Sequence, residues 1–156
     1  MDYTTRCLHA EDLEQALSLT WKTFLEFEAP DYSSEGVASF KRDIIDNPTF
    51  SEACKQGTNQ MWGAFSGNDL VGLMVLRNAS HICLAFVDKD HQRKGIGSAL
   101  FSLLVRHVKT HNPSAEQLTV NSSPYGIPFY HRLGFVDLGK EQTIQGIRFT
   151  AMVYQL

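Results

Sequence analysis

Paired cysteines, an excess of positive charge and a long apolar run are all missing from this 156-residue chain. The three cysteines, Cys7, Cys54 and Cys83, are odd in number and show no CxxC spacing. They read as reduced thiols, not as disulfide staples or a zinc site, so no metal is expected. A net charge of −3 speaks against a general nucleic-acid binder, whose contact face is usually clearly basic. No apolar stretch approaches the roughly 20 residues that a membrane span needs. The polar start Met1-Asp2-Tyr3-Thr4-Thr5-Arg6 lacks the basic-then-apolar pattern of an export signal. The expectation is one cytoplasmic domain over residues 1–156, with no nucleic-acid or membrane partner, since the length suits a single core.

What is present is an ordinary globular pattern. Residues 3–9 read as a first strand. Leu13, Ala16, Leu17, Trp21, Phe24 and Leu25 then fall at helical spacing up to Pro30. Asp31-Tyr32-Ser33-Ser34 reads as the cap of a second helix carrying Val37, Phe40, Ile44 and Ile45, which Asn47-Pro48 stops. After a polar segment, two apolar runs flank Gly67-Asn68-Asp69, a hairpin signal. Residues 80–87 barely alternate and read as a strand buried on both faces. A long helix follows with Ile96, Leu100, Leu103, Leu104, Val105 and Val108 on one stripe. Then come a strand near 117–120, a short helix over 127–133, and strands near 134–138 and 147–154. The order β-α-α-β-β-β-α-β-α-β-β predicts a mixed α/β sheet with helices on both faces.

The stretch Lys89–Phe101, KDHQRKGIGSALF, joins the third of these middle strands to the long helix. Unpartnered N–H groups at a helix start, helped by the helix dipole, attract anions. Gly95 and Gly97 leave the backbone open to a phosphate. Arg93 and Lys94 add charge, and Ser98 adds a hydroxyl. The same glycines could serve only close strand–helix packing, and the loop alone does not separate the two readings. It fits neither GxxxxGK[ST] nor a three-glycine GxGxxG loop.

A second signature lies downstream. Gln92-x-x-Gly95-x-Gly97, then Val120-Asn121, then Phe129-Tyr130-His131-Arg132-Leu133-Gly134-Phe135 together resemble the GCN5-related N-acetyltransferase (GNAT) superfamily, over about the last half of the chain. The resemblance implies a mostly antiparallel sheet flanked by helices, with a V-shaped acetyl-CoA cleft between the central strands. It implies that the segment Gln92, Arg93, Lys94, Gly95, Ile96, Gly97 and Ser98 holds the pyrophosphate, that Phe86 and Val87 pair with the pantetheine amides, and that Asn121 bonds the cofactor arm. Val87 N–H would donate to the thioester oxygen. Members often pair through their last strands, so a homodimer is a further expectation.

Tyr130 matches the family's tyrosine near the cofactor sulfur, and a phenol with a reference pKa of about 10 can protonate a leaving thiolate. The base is less defined. Histone-type members carry a glutamate fourteen residues before the first signature glycine, a position that here is His81; a histidine can accept a proton near neutrality. A solvent-facing strand end, or relay through water to Glu28 or Asp31, are the alternatives. His91 and His131 read as surface residues, and His9, His107 and His111 show no partner pattern. In this superfamily the link between the first two helices shapes the acceptor site. Here it offers Phe27, Glu28, Asp31 and Tyr32, acids for a cationic amine and aromatics to face it. The expected function is transfer of acetyl from acetyl-CoA to a primary amine of a small molecule or peptide by direct attack in a ternary complex. The rivals are a non-catalytic acyl-CoA-binding sensor or interaction module, and a nucleotide-phosphate binder.

Overall fold

The computed structural model describes residues 2–156. Strand β1 (Thr4–Cys7) leads into helix α1 (Leu13–Phe27), α2 (Ser34–Phe40) and α3 (Pro48–Gln56). Strands β2 (Gln60–Ser66), β3 (Asp69–Arg77) and β4 (His81–Val87) form a meander, and α4 (Ile96–His111) crosses to β5 (Gln117–Ser122). Helix α5 (Ile127–Leu133) and strands β6 (Val136–Asp137), β7 (Gln142–Ile144) and β8 (Ile147–Gln155) complete the chain.

In α1 the buried stripe is Leu13, Ala16, Leu19, Thr20, Thr23 and Phe24, while Leu25 is exposed. Two threonines can be buried because each hydroxyl donates to the carbonyl four residues back, Thr20 to Ala16 and Thr23 to Leu19. Ser33 caps α2 by accepting from Gly36 N at 3.2 Å, and α2 runs on as a π turn over Lys41–Ile45. The polar segment after Asn47 is not a loop but α3. Asn47 caps it, Pro48 opens it, and Gly57 closes it in the left-handed region at φ 81°. Only Phe50 and Cys54 are buried on α3, too thin a stripe among charges to stand out by periodicity.

The sheet order is β1-β2-β3-β4-β5-β8-β6, with β7 paired to β8. All pairings are antiparallel except β4–β5. Strand β7 and its tight turn were not expected; Gln145 and Gly146 both adopt positive φ (51° and 80°), hairpin-turn geometry without the usual Asn-Gly signal. Strand β4 alternates buried and half-buried residues, so it is not equally covered on both faces as its sequence suggested. One core lies under α4 and α5, with Leu100, Leu104, Leu118 and Met152 fully buried. The other lies under α1 and α3, with Phe24, Leu73, Val75 and Leu84.

The one parallel pairing positions the site. Strands β4 and β5 meet only at His81↔Thr119 and Ile82↔Val120. Beyond Ile82 they separate, β4 staying with β3 to Val87 and β5 following β8 to Ser122. The sheet is therefore wedged open at its centre. His81 Nδ1 and Thr119 Oγ1 lie 2.8 Å apart at the closed end of the wedge.

Candidate active site

A cavity of about 750 Å³ fills the open end of the wedge. It is lined by the end of α1 (Thr23, Phe27, Glu28), by β3 and β4 (including Phe86 and Val87), by the loop into α4, and by the start of α5. Of the seven loop residues singled out in the sequence, Gln92, Arg93, Gly95, Ile96, Gly97 and Ser98 line it, whereas Lys94 does not.

The backbone of β4 turns alternate residues toward the opening. Asp88 N donates to Val71 O on β3 at 2.8 Å. With a period of two, Phe86 faces its partner Leu73 on β3, and Ala85 and Val87 face the side that β5 has left. Val87 is thus placed to pair with an extended ligand arm; the Phe86 backbone is turned to β3, and only its side chain lines the cavity. The Val87 carbonyl already accepts from Gln92 Nε2 at 3.1 Å, while Gln92 Oε1 accepts from Tyr125 Oη at 3.0 Å. Tyr125 in turn stacks on Phe27, with centroids 4.8 Å apart. Four elements are therefore linked across the opening.

The loop is shaped by unusual backbone. Arg93 and Gly95 both have positive φ, 62° and 82°, which turns the chain sharply before α4 begins at Ile96. Nothing closer than Tyr3 Oη, at 3.6 Å, would meet a Cβ at Gly95. A Cβ at Gly97 would lie 2.6 Å from Phe129 Cε1. Gly95 thus fits an open cradle, while Gly97 answers first to the α5 aromatic. Asp88 anchors the loop from below. Its carboxylate accepts from Lys22 Nζ of α1 at 2.8 Å, from Asp90 N at 3.3 Å, and lies 3.2 Å from His91 Nδ1. His91, taken from sequence as a surface residue, lines the cavity. The Asp88 carboxyl is held below its usual range by Lys22, with His91 helping.

Of two proton-bearing groups near the cavity, Glu28 lines it and Tyr130 does not. Burial pushes the Glu28 carboxyl up to about 7, with Asp31 adding to it and a hydrogen bond with Ser123 opposing it. Tyr130, fully enclosed behind the wall formed by Phe129 and Gly126, has its phenol pushed far up by burial and then by the negative fields of Glu28 and Cys83. It stays a neutral donor at any physiological pH. Burial pushes the Cys83 thiol up to about 12, so β4 supplies no thiolate.

Tyr130 is itself absent from the cavity lining, and so are the other expected residues His81, Asn121, Asp31 and Tyr32. His81, at the closed end, is lowered to about 4 by burial and by Arg77 and is absent from the lining. Asn121 is exposed, paired with Ala151 in the β5–β8 ladder. Tyr32 packs on Phe24 at 5.6 Å, and the Asp31 carbonyl accepts from Arg148 Nη1 at 3.1 Å. Phe129 and His91 are among the lining residues the sequence did not assign, although Phe129 belongs to the motif that contains Tyr130.

Residues 28–156 match the family model described as an acetyltransferase (GNAT) domain. The chain belongs to the GNAT acetyltransferase family. Among curated relatives it is 27% identical over 134 residues to YafP, an uncharacterized N-acetyltransferase of Escherichia coli K12, covering 86% of this chain and 81% of that protein. Among solved structures, a GCN5-related N-acetyltransferase from Rhodopseudomonas palustris superposes with a TM-score of 0.81 at 23% identity, covering 100% and 97% of the two chains. The PaiA N-acetyltransferase of Thermoplasma acidophilum, solved in complex with coenzyme A, gives 0.79 at 20% identity with both chains covered in full. Family membership carries acetyl-CoA-dependent acetyl transfer as the general activity. Among the described residues no helix is long and apolar enough to cross a membrane.

Proposed function

We propose that this chain is an N-acetyltransferase that passes the acetyl group of acetyl-CoA directly to a primary amine of a small molecule or peptide, both substrates being bound together. The observation that carries this is a carboxyl titrating at about 7 on the cavity wall (Glu28), with a phenol held neutral (Tyr130) buried behind that wall. A base and an acid tuned apart by their surroundings are what amide formation from a thioester needs.

The residues present fit acetyl-CoA. The open φ-positive turn at Gly95 leaves room for a phosphate against the amides that start α4, Arg93 brings positive charge, and the Val87 edge suits an amide-bearing arm. When bound, acetyl-CoA supplies the activated acetyl group. The remaining chemistry belongs to the chain. Val87 N–H donates to a carbonyl oxygen that gains negative charge. Glu28 takes a proton from the incoming ammonium, directly or through a water, and its charge draws the cation in. Tyr130 donates its phenol proton to the departing sulfur. Glu28 replaces His81 as the base in this reading, because His81 is tied to Thr119 at the closed end of the wedge. With Cys83 protonated, transfer proceeds without an acyl-cysteine.

Thiol release from acetyl-CoA, followed across a panel of small and peptide primary amines, tests the proposal. The expected result is amine-dependent release that Tyr130→Phe lowers about 10²–10⁴-fold. Tight CoA binding with no amine raising release above hydrolysis would instead establish the acyl-CoA-binding module.

A further inference from the structure

Ser123-Pro124-Tyr125-Gly126 joins β5 to α5, with proline second and glycine fourth, the order that a tight turn favours. Gly126 N donates to the Ser123 carbonyl at 3.0 Å and closes that turn. Tyr130 N then donates to the Gly126 carbonyl at 3.1 Å, so α5 starts directly from it. The turn also lies against the Tyr130 ring, since a Cβ at Gly126 would be 3.2 Å from Tyr130 Cε2 and 2.9 Å from Ser122 Oγ. Ser122 and Ser123 are both buried.

The two buried hydroxyls are used differently. Ser122 Oγ donates to the Ser123 carbonyl at 2.9 Å, which commits its only proton. Ser123 Oγ instead accepts from Gly126 N at 3.2 Å. Its own proton is left over, and a buried hydroxyl needs an acceptor for it. That acceptor is the Glu28 carboxyl, with which Ser123 forms a side-chain hydrogen bond. Glu28 lines the cavity and Ser123 does not, so Ser123 reaches the base without being part of the substrate-facing wall.

We propose that Ser123 is a positioning residue for Glu28: its hydroxyl donates to the carboxylate and ties the end of α1 to the turn that starts α5. The element that carries the base is thereby joined to the one that carries Tyr130. The catalytic consequence rests on the reading of Glu28 as base; the contact itself does not. A hydrogen bond donated to the charged form favours that form, so Ser123 opposes the burial that raises this carboxyl. Other groups share the field. Asp31 and Tyr32 of the α1–α2 link and Tyr130 of α5 interact with Glu28, and Arg148 of β8 reaches that link at the Asp31 carbonyl. His91, Arg93 and Arg132 line the same cavity. All of them remain in a Ser123 variant, so a changed titration reports the hydroxyl.

The test reads Glu28 directly. The full chain, labelled with ¹³C at the glutamate carboxyls, is titrated by NMR, and the Glu28 signal is assigned by its loss in Glu28→Gln. Ser123→Ala should move the Glu28 titration upward by about one pH unit, the scale of a hydrogen bond to a charged group. Ser123→Thr, which keeps the hydroxyl, should bring it most of the way back. The acid limb of kcat/KM should move with it, leaving Ser123→Ala about fivefold slower than wild type at pH 7 and nearly equal to it at pH 9. If Ser123→Ala does not fold, Ser123→Cys, a weak donor of similar shape, makes the same comparison. An unmoved Glu28 titration would overturn the proposal, and so would a shift in Ser123→Thr as large as that in Ser123→Ala. Weakened CoA binding with the Glu28 titration unmoved would do the same, making Ser123 a cofactor contact instead. A shifted titration with an unshifted rate limb would uphold the contact and remove Glu28 as base.

Discussion

Replacing Glu28 with Gln should make the protein more stable and less active, with both effects gated by the same titration. The carboxyl titrates at about 7 in the folded chain against 4.5 for a free glutamate. A raised acid means that folding favours its protonated form. Its full stability is therefore present below about pH 4.5, declines as pH rises toward 7, and stays lost above that. A gap of about 2.5 units corresponds to up to about 3 kcal/mol, with water in the cavity reducing it. Glutamine has the same shape, can accept the Ser123 hydrogen bond, and never ionises. Urea denaturation should thus show parity near pH 4.5 and a gain approaching 3 kcal/mol at pH 8, or roughly 6–12 °C in melting temperature for a chain of this size. Over the same window kcat/KM of the wild type should rise with an apparent pKa near 7. The variant should lose that limb and fall about 10²–10⁴-fold. The amine's own ionisation is common to both proteins and cancels in their ratio. A stability difference that does not vary with pH would refute the buried-carboxylate argument, and a pH limb surviving in Glu28→Gln would refute its role as base.

Gly95→Ala must hold a side chain at φ 82° and should weaken CoA binding severalfold, whereas Lys94→Ala, outside the cavity, should change it little; calorimetry with CoA checks the order. Gly97→Ala should also weaken CoA binding, but by displacing Phe129, and Phe129→Leu should restore part of it. At Gly146 a Cβ would lie 2.3 Å from Gly36 N with φ at 80°, so Gly146→Ala should lose roughly 2–4 kcal/mol in denaturation. Gln92→Leu removes the side chain that holds both the Val87 carbonyl and Tyr125. If that carbonyl is wanted by the cofactor arm, CoA should bind the variant at least as tightly, while the KM for the amine rises as Tyr125 is freed.

Much of this layout is written in local patterns. The α4 stripe, the Gly67 hairpin and the Phe129–Phe135 segment each announce themselves within a dozen residues, and α5 runs over the Ile127–Leu133 span expected of it. Helix α3 escaped because its two buried residues, Phe50 and Cys54, are diluted by charge, although Asn47-Pro48 and Gly57 bracket it with proper caps. Strand β7 escaped because its register depends on β8, a partner absent from its own sequence. Glu28 could be named as a candidate but not chosen over His81, since its raised pKa comes from burial in the folded chain, which no local pattern shows. The role of Tyr125 is not written locally either, since its contacts are Phe27 and Gln92, 98 and 33 residues away by number.

The wedge and the perturbed carboxyl have one physical origin. Where β5 leaves β4 after Ile82, the backbone groups of Ala85 and Val87 lose their neighbouring strand. The space is not refilled by side chains but is roofed by Phe27, Tyr125 and Phe129. That roof withholds bulk water from Glu28 and raises its pKa, and the same opening exposes the strand edge that an amide-bearing ligand could complete. Sealing the wedge with larger apolar residues, as in Ala85→Leu, should therefore stabilise the fold by covering the edge and abolish both CoA binding and the acetyl-transfer rate. Ala85→Leu that loses stability while CoA still binds would show that the edge is not where the cofactor arm lies.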